Sequence, residues 1–116
     1  MAGDEEQGMT PNLTPTQIAR ARRGALRWFL LSAANTARPV GIYTEALLPI
    51  IQSVYPDATH KEIRTELDYL EERGLMKIKR DPTDRWFVDL TRGGVDVVEY
   101  TVECDPGIDR PKLTQA

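Results

Sequence analysis

His60 and Cys104 are the only histidine and the only cysteine in the 116 residues, and that scarcity limits the chemistry open to this chain. A catalytic nucleophile needs a base within hydrogen-bond reach, and a metal centre needs several converging ligands. Cys104 has no base beside it in sequence, and a lone thiol makes no intramolecular disulfide, which fits a reducing compartment. His60, without partners, reads as a solvent-facing residue in the first turn of a helix. The adjacent acids Glu71 and Glu72 read as a solvated helix face. The sequence has no Gly-rich phosphate loop and no cluster with metal-ligand spacing. It therefore predicts no enzyme, no cofactor and no metal, and turns attention to charges that suit binding.

The elements that must position those charges are sharply punctuated. Thr59-His60-Lys61-Glu62 is a capping box: the Thr59 hydroxyl can accept the Glu62 N–H, and the Glu62 carboxylate can reach back to Thr59. Ile63, Leu67 and Leu70 then recur at helical spacing, giving one apolar stripe. Gly74 ends that helix where a left-handed residue is wanted, and Leu75 can fold back on Leu70. Leu75–Lys79 and Trp86–Leu90 read as a hairpin around the charged turn from Arg80 to Arg85.

Upstream, Thr14, Pro15 and Gln17 stack three helix-start signals, with Leu13 and Ile18 as the hydrophobic staple. That first helix is expected to run to about Ala34, before Asn35 and Pro39. The expected buried face holds Ile18, Ala21, Ala25, Trp28, Phe29 and Ser32. Arg20, Arg23 and Arg27 fall on the opposite face, and Arg22 near the apolar edge. Val40–Tyr43 is β-prone and is expected to pair with the hairpin as a third short strand. Thr44 is expected to cap the next helix, in which Pro49 either marks the start or makes a kink. The brief turn at residues 55–58 makes this helix and the next a helix-turn-helix. Thr91 opens a last helix, with Val95, Val98 and Val102 on one face.

The length and 41% hydrophobic content suit one domain with a single core. Net charge is −3, but Asp4, Glu5 and Glu6 lie in a base-free start, and the remainder balances. These features predict an acidic, disordered tail over 1–12, a folded domain over 13–103 and a flexible C-terminal tail over 104–116. No apolar segment follows a basic N-terminus, and the longest apolar run is far below the ~20 residues that span a bilayer. A soluble, cytoplasmic protein with no membrane partner is expected.

The order helix, short strand, helix, turn, helix, hairpin, helix is mainly α with a small three-stranded sheet. It resembles the winged helix-turn-helix superfamily from Leu13 to about Val102. Residues Leu67–Leu75 resemble that family's recognition-helix exit, the turn between Lys79 and Trp86 its wing, and Leu90–Gly94 the entry to its last helix. The whole chain is also similar to small winged-helix proteins of Mu-like prophages. The resemblance implies a transcriptional regulator or phage DNA-associated factor binding double-stranded DNA. The second helix of the pair would enter the major groove, presenting His60, Lys61, Arg64 and Thr65 to bases and phosphates. Lys77, Lys79, Arg80 and Arg85 of the wing would track the backbone, and Arg20, Arg23 and Arg27 would extend the footprint.

Against this stands the charge of the recognition helix itself. Lys61, Arg64 and Arg73 face Glu62, Glu66, Asp68, Glu71 and Glu72, a net of −2 over Thr59–Arg73. Phosphate repels such a helix unless the acids are turned away or occupied. The alternative is a winged-helix module for protein interaction or assembly, since fold alone does not fix function. On either reading a homodimer is expected, supported by a long first helix with Leu30 and Leu31 off the expected buried face.

Overall fold

The computed structural model describes residues 12–113. The acidic-tail reading of residues 1–12 falls almost entirely outside them. Helix α1 spans Pro15–Thr36, β1 Ile42–Tyr43, α2 Thr44–Gln52, α3 His60–Glu72, β2 Met76–Arg80, β3 Trp86–Leu90 and α4 Arg92–Val98. The strands form one antiparallel sheet in the order β1-β3-β2, and the arrangement is that of a winged helix-turn-helix. No helix among the described residues is long and apolar enough to cross a membrane.

The local start and stop signals operate as physical devices. Thr14 and Gln17 exchange both capping-box bonds, at 3.1 and 2.8 Å, with Pro15 in the first helical position. At the end of α3, Leu75 N–H donates to the Leu70 carbonyl and Gly74 N–H to that of Glu71. This is a Schellman motif, and Gly74 takes the left-handed φ of 74° that it requires. The Thr91 hydroxyl then ties two elements together, donating to Gly74 O at 2.6 Å and accepting from Gly94 N at 3.1 Å. Gly94 has no room for a Cβ, which would run into the Leu75 carbonyl and the Leu90 side chain.

The core lies between α1, α2, α3 and the inner face of the sheet. Leu26, Leu30, Leu31, Leu47, Ile51, Ile63, Leu67, Leu70 and Val88 are completely buried. This corrects the expected face of α1. Ile18 is 53% exposed, Trp28 and Phe29 are only half-buried, and Leu30 and Leu31 lie inside. At 22 residues α1 is about 33 Å long, so its N-terminal part overhangs the body and Ile18 has nothing to pack against. Leu30 and Leu31 therefore supply no dimer surface.

Three further expectations change. Tyr43, not Thr44, is the N-cap of α2, without a side-chain cap, and Thr44 is buried as the first helical residue. Pro49 lies within α2, which begins ahead of it and continues to Gln52. In α4 the buried residues are Gly94, Val95 and Val97, while Val102 lies beyond the helix and is 45% exposed.

The segment read as a flexible tail is instead a strap, over residues 104–113. Ile108 is buried against the core. Asp109 N–H donates to the Gly24 carbonyl at 3.1 Å, and Arg27 Nη1 to Gly107 O at 2.8 Å. Asp105 accepts from the Tyr69 hydroxyl at 2.6 Å, Gly107 N–H at 2.7 Å and Arg73 Nε at 2.8 Å. Arg110 caps the Val97 and Val102 carbonyls, and Tyr100 OH donates to Pro111 O. Burial pushes the strap's Cys104 thiol above its ordinary pKa, which favours the neutral thiol.

Two measurements check the strap. Ile108→Ala should lose about 2–4 kcal/mol in urea unfolding, as for a buried aliphatic side chain. The Tyr69 hydroxyl, aided by Gly107 N–H and Arg73, holds the Asp105 carboxyl below its usual range. A depressed folded-state pKa stabilises the fold above the ordinary carboxylate range, and this is lost as pH falls through the folded value. The stability gap between the parent and Asp105→Asn should therefore be full at neutral pH and shrink below about pH 4.

Candidate nucleic-acid interface

Each side of α3 outside the core is assigned to a different neighbour, and helical periodicity does the sorting. Toward α1 it presents Glu62, Glu66 and Tyr69. Arg22 clasps Glu62 with Nε and Nη2 at 2.8 and 2.9 Å and reaches Asp57 at 3.0 Å with Nη1. Arg27 Nε meets Glu66 at 2.7 Å, and Glu66 is only 2% exposed. The Arg27 and Arg73 guanidiniums lie 3.5 and 3.6 Å from the Tyr69 ring centroid. The Thr59 hydroxyl does accept Glu62 N–H, but the expected return bond from the Glu62 carboxylate is replaced by Arg22. A forked guanidinium offers two charge-assisted bonds where one backbone N–H offers one.

Toward the wing α3 presents Arg64, Asp68 and Glu71. Arg80, on the inner side of the hairpin, bonds Asp68 at 2.8 Å and Glu71 at 2.9 Å. That bond holds the Glu71 carboxyl below its usual range and raises Arg80. Arg64 crosses to the turn at the tip of the wing, donating to Asp84 Oδ2 at 3.0 Å and to Asp84 O at 2.6 Å. Its Nε is buried without a hydrogen-bond partner. Both guanidiniums lie over the Trp86 ring, Arg64 at 4.6 Å and Arg80 at 4.3 Å from its centroid. Asp84 itself has a φ of 64°, in the left-handed region an aspartate tolerates in a turn.

The exposed strip that remains carries His60, Lys61, Thr65 and, at the far end, Glu72. The Thr65 hydroxyl donates to the Lys61 carbonyl at 2.9 Å. Beside the strip is a cleft of about 340 Å³, bordered by Ala19, Arg22 and Arg23 of α1 and by Lys61, Thr65 and Glu66 of α3. Arg20 and Arg23 also line a groove of about 570 Å³ between α1 and the strap.

The residues expected to bind DNA are thus spread over several surfaces. His60, Lys61 and Thr65 share the exposed strip, next to Arg23 and Arg20. Arg64 and Arg80 lie in the seam between α3 and the wing. Lys77, Lys79 and Arg85 belong to the outer side of the sheet, where Arg85 sits 3.6 Å from Glu45 and 3.9 Å from the Tyr43 ring centroid. Arg27 is turned inward to Glu66. Arg20, Arg23, Lys61, Lys77 and Lys79 make no ion pair with another described residue.

Trp86 and Tyr69 are the site residues that sequence reasoning passed over. Strand alternation places Trp86 on the face of Val88, toward the helices, and that signal was available. The Arg64–Asp84 contact joins residues of two elements and had no local signal.

The seam predicts a separable effect. Arg64→Ala should speed hydrogen exchange at the Thr83 and Arg85 amides, because the wing tip loses its tie to α3. Global stability should change by about 1 kcal/mol or less, as for exposed pairs. Unaltered exchange in the turn would show that Arg64 does not hold the wing.

Comparison with family models, with curated proteins and with solved structures finds no match to this chain.

Proposed function

We propose that this protein is a winged-helix DNA-binding protein, a transcriptional regulator or phage DNA-associated factor, that contacts duplex DNA through the N-terminal half of α3. The observation that carries this is the disposal of the acids of α3. Glu62, Glu66, Asp68 and Glu71 are each held by an arginine from another element, and Arg64 and Arg73 by Asp84 and Asp105, so the α3 charges left without an ion pair are Lys61 at its start and Glu72 at its far end. The strip itself offers Lys61 and Thr65 at a helix N-terminus, with Arg23 and Arg20 alongside. Cations at the start of a helix, together with its free N–H groups, favour a phosphate. Lysine, as a point charge, positions the backbone more than it reads bases.

A protein-interaction module is the second reading. It is favoured by a shallow groove of about 210 Å³ between α1 and α2, lined by Phe29, Ala33, Ile50 and Val54 with no charged residue. Ile50 and Val54 are 47% and 50% exposed, and a homodimer would have to use them in place of Leu30 and Leu31. Sedimentation of Ile50→Lys against the parent tests it: a parent that is monomeric at high concentration removes this dimer.

Fluorescence anisotropy with a labelled duplex at about 50 and 200 mM salt tests the first reading. Binding should weaken with salt, and Lys61→Ala and Arg23→Ala should each flatten the salt slope by about one unit, alike on every sequence. Arg80→Ala should also weaken binding, although Arg80 lies in the seam, because it frees Asp68 and Glu71. Adding Asp68→Asn to that variant should restore part of the loss. Absent or salt-independent binding would refute the reading.

A further inference from the structure

We propose that the outer face of the wing sheet is a separate site for single-stranded nucleic acid, built to stack an unpaired base. Strand register sorts the side chains. Ile42, Val88 and Ile78 are aligned across β1, β3 and β2 and face the core, so the next row, Tyr43, Phe87 and Lys79, faces outward. The Tyr43 and Phe87 rings meet edge to face, with centroids 4.8 Å apart at 66°. The Arg85 guanidinium lies over the Tyr43 ring at 3.9 Å. These residues, with Lys79 and Asp81, line a cavity of about 320 Å³.

The acid in that cavity is already occupied. Asp81 Oδ1 accepts from Thr83 N–H, the Thr83 hydroxyl and Arg85 N–H, at 2.9, 2.6 and 2.9 Å, which shapes the turn. Lys79 has no ion-pair partner among the described residues; Lys77 lies on the same face opposite Asp89, and Arg85 is 3.6 Å from Glu45 at the margin. The result is a planar cation on an aromatic ring, a second ring at its side, and an ammonium at its rim. A nucleobase continues the Arg85–Tyr43 stack, because arginine planes and aromatic rings are both stacking platforms for unpaired bases. Lys79 then reaches the adjoining phosphate. Bases inside a duplex are stacked on one another and do not present a face to such a platform, so the ligand is a single strand. This site does not depend on α3 binding duplex DNA.

The test is anisotropy with a labelled oligo-dT of about twelve nucleotides, within the range of sites known for such platforms. The full chain should bind it. Tyr43→Leu and Lys79→Ala should each lower that affinity about five-fold or more, the lower end of one base stack. Tyr43 caps α2 through its backbone alone, but its ring packs against Phe87 and Arg85, so this variant should stay folded and melt slightly below the parent. Lys61→Ala, on α3, should leave oligo-dT binding unchanged, and Tyr43→Leu should bind duplex as the parent does. An oligo-dT that does not bind overturns the proposal, as does Tyr43→Leu binding it as tightly as the parent. Equal loss in Lys61→Ala would place the strand on α3 and overturn it too. Each of these can occur whether or not duplex DNA binds, so failure here is distinct from failure of the α3 reading.

Discussion

Glu66 sits in the middle of α3 with almost no contact with water, and a carboxylate placed there without a partner would cost several kcal/mol. Arg27 Nε, 2.7 Å away, supplies the compensating charge. The same guanidinium stacks on Tyr69 and donates to the Gly107 carbonyl, so one cation joins α1, α3 and the strap. The bond ties the middle of α1 to the middle of α3, and the Arg22–Glu62 pair repeats the tie one turn earlier. The exposed strip of α3 is what is left after these demands are met.

Every ion pair among the described residues is made by an arginine, and Lys61, Lys77 and Lys79 take part in none. The division has a physical basis. A guanidinium is weakly hydrated, forked and flat, so it can pair, stack and be half-buried at once, as Arg80 does between Trp86, Asp68 and Glu71. An ammonium is held strongly by water and stays at the surface. On the proposed reading, Lys61 meets phosphate with Arg20 and Arg23 alongside, while Arg27, Arg64 and Arg80 are kept for internal use. Such a surface would grip the backbone with little preference for sequence.

The punctuation of this fold was legible because it is chemically local. Thr14 with Gln17, Thr59 with Glu62 N–H, Gly74 with Leu75, and Thr91 with Gly94 each act within a few residues. Alternation gave the hairpin, and β-prone composition the third strand. The phase of α1 was not legible: Ile18 suggested one apolar stripe, whereas Leu26, Leu30, Leu31 and Ala34 form the buried one where the helix has something to cover. The strap was missed because it is held by polar hooks and one buried isoleucine, which leave no periodic pattern. The candidate site was legible in part. His60, Lys61 and Thr65 are exposed as expected, but the partners of Arg64 and Arg80 lie on other elements, and residue spacing does not encode such contacts.

The strap also bears on the order in which the chain can become a domain. Arg27 and Gly107 are separated by 80 positions, and Gly24 meets Asp109 across a similar span. Closing so long a loop is entropically slow compared with forming the helix pair or the hairpin. Among the described elements α1 precedes the strap in the chain, so the Gly24 contact can form only once residues 105–110 have been made. Until then the Tyr69 hydroxyl lacks the Asp105 carboxylate that accepts its hydrogen bond in the finished domain.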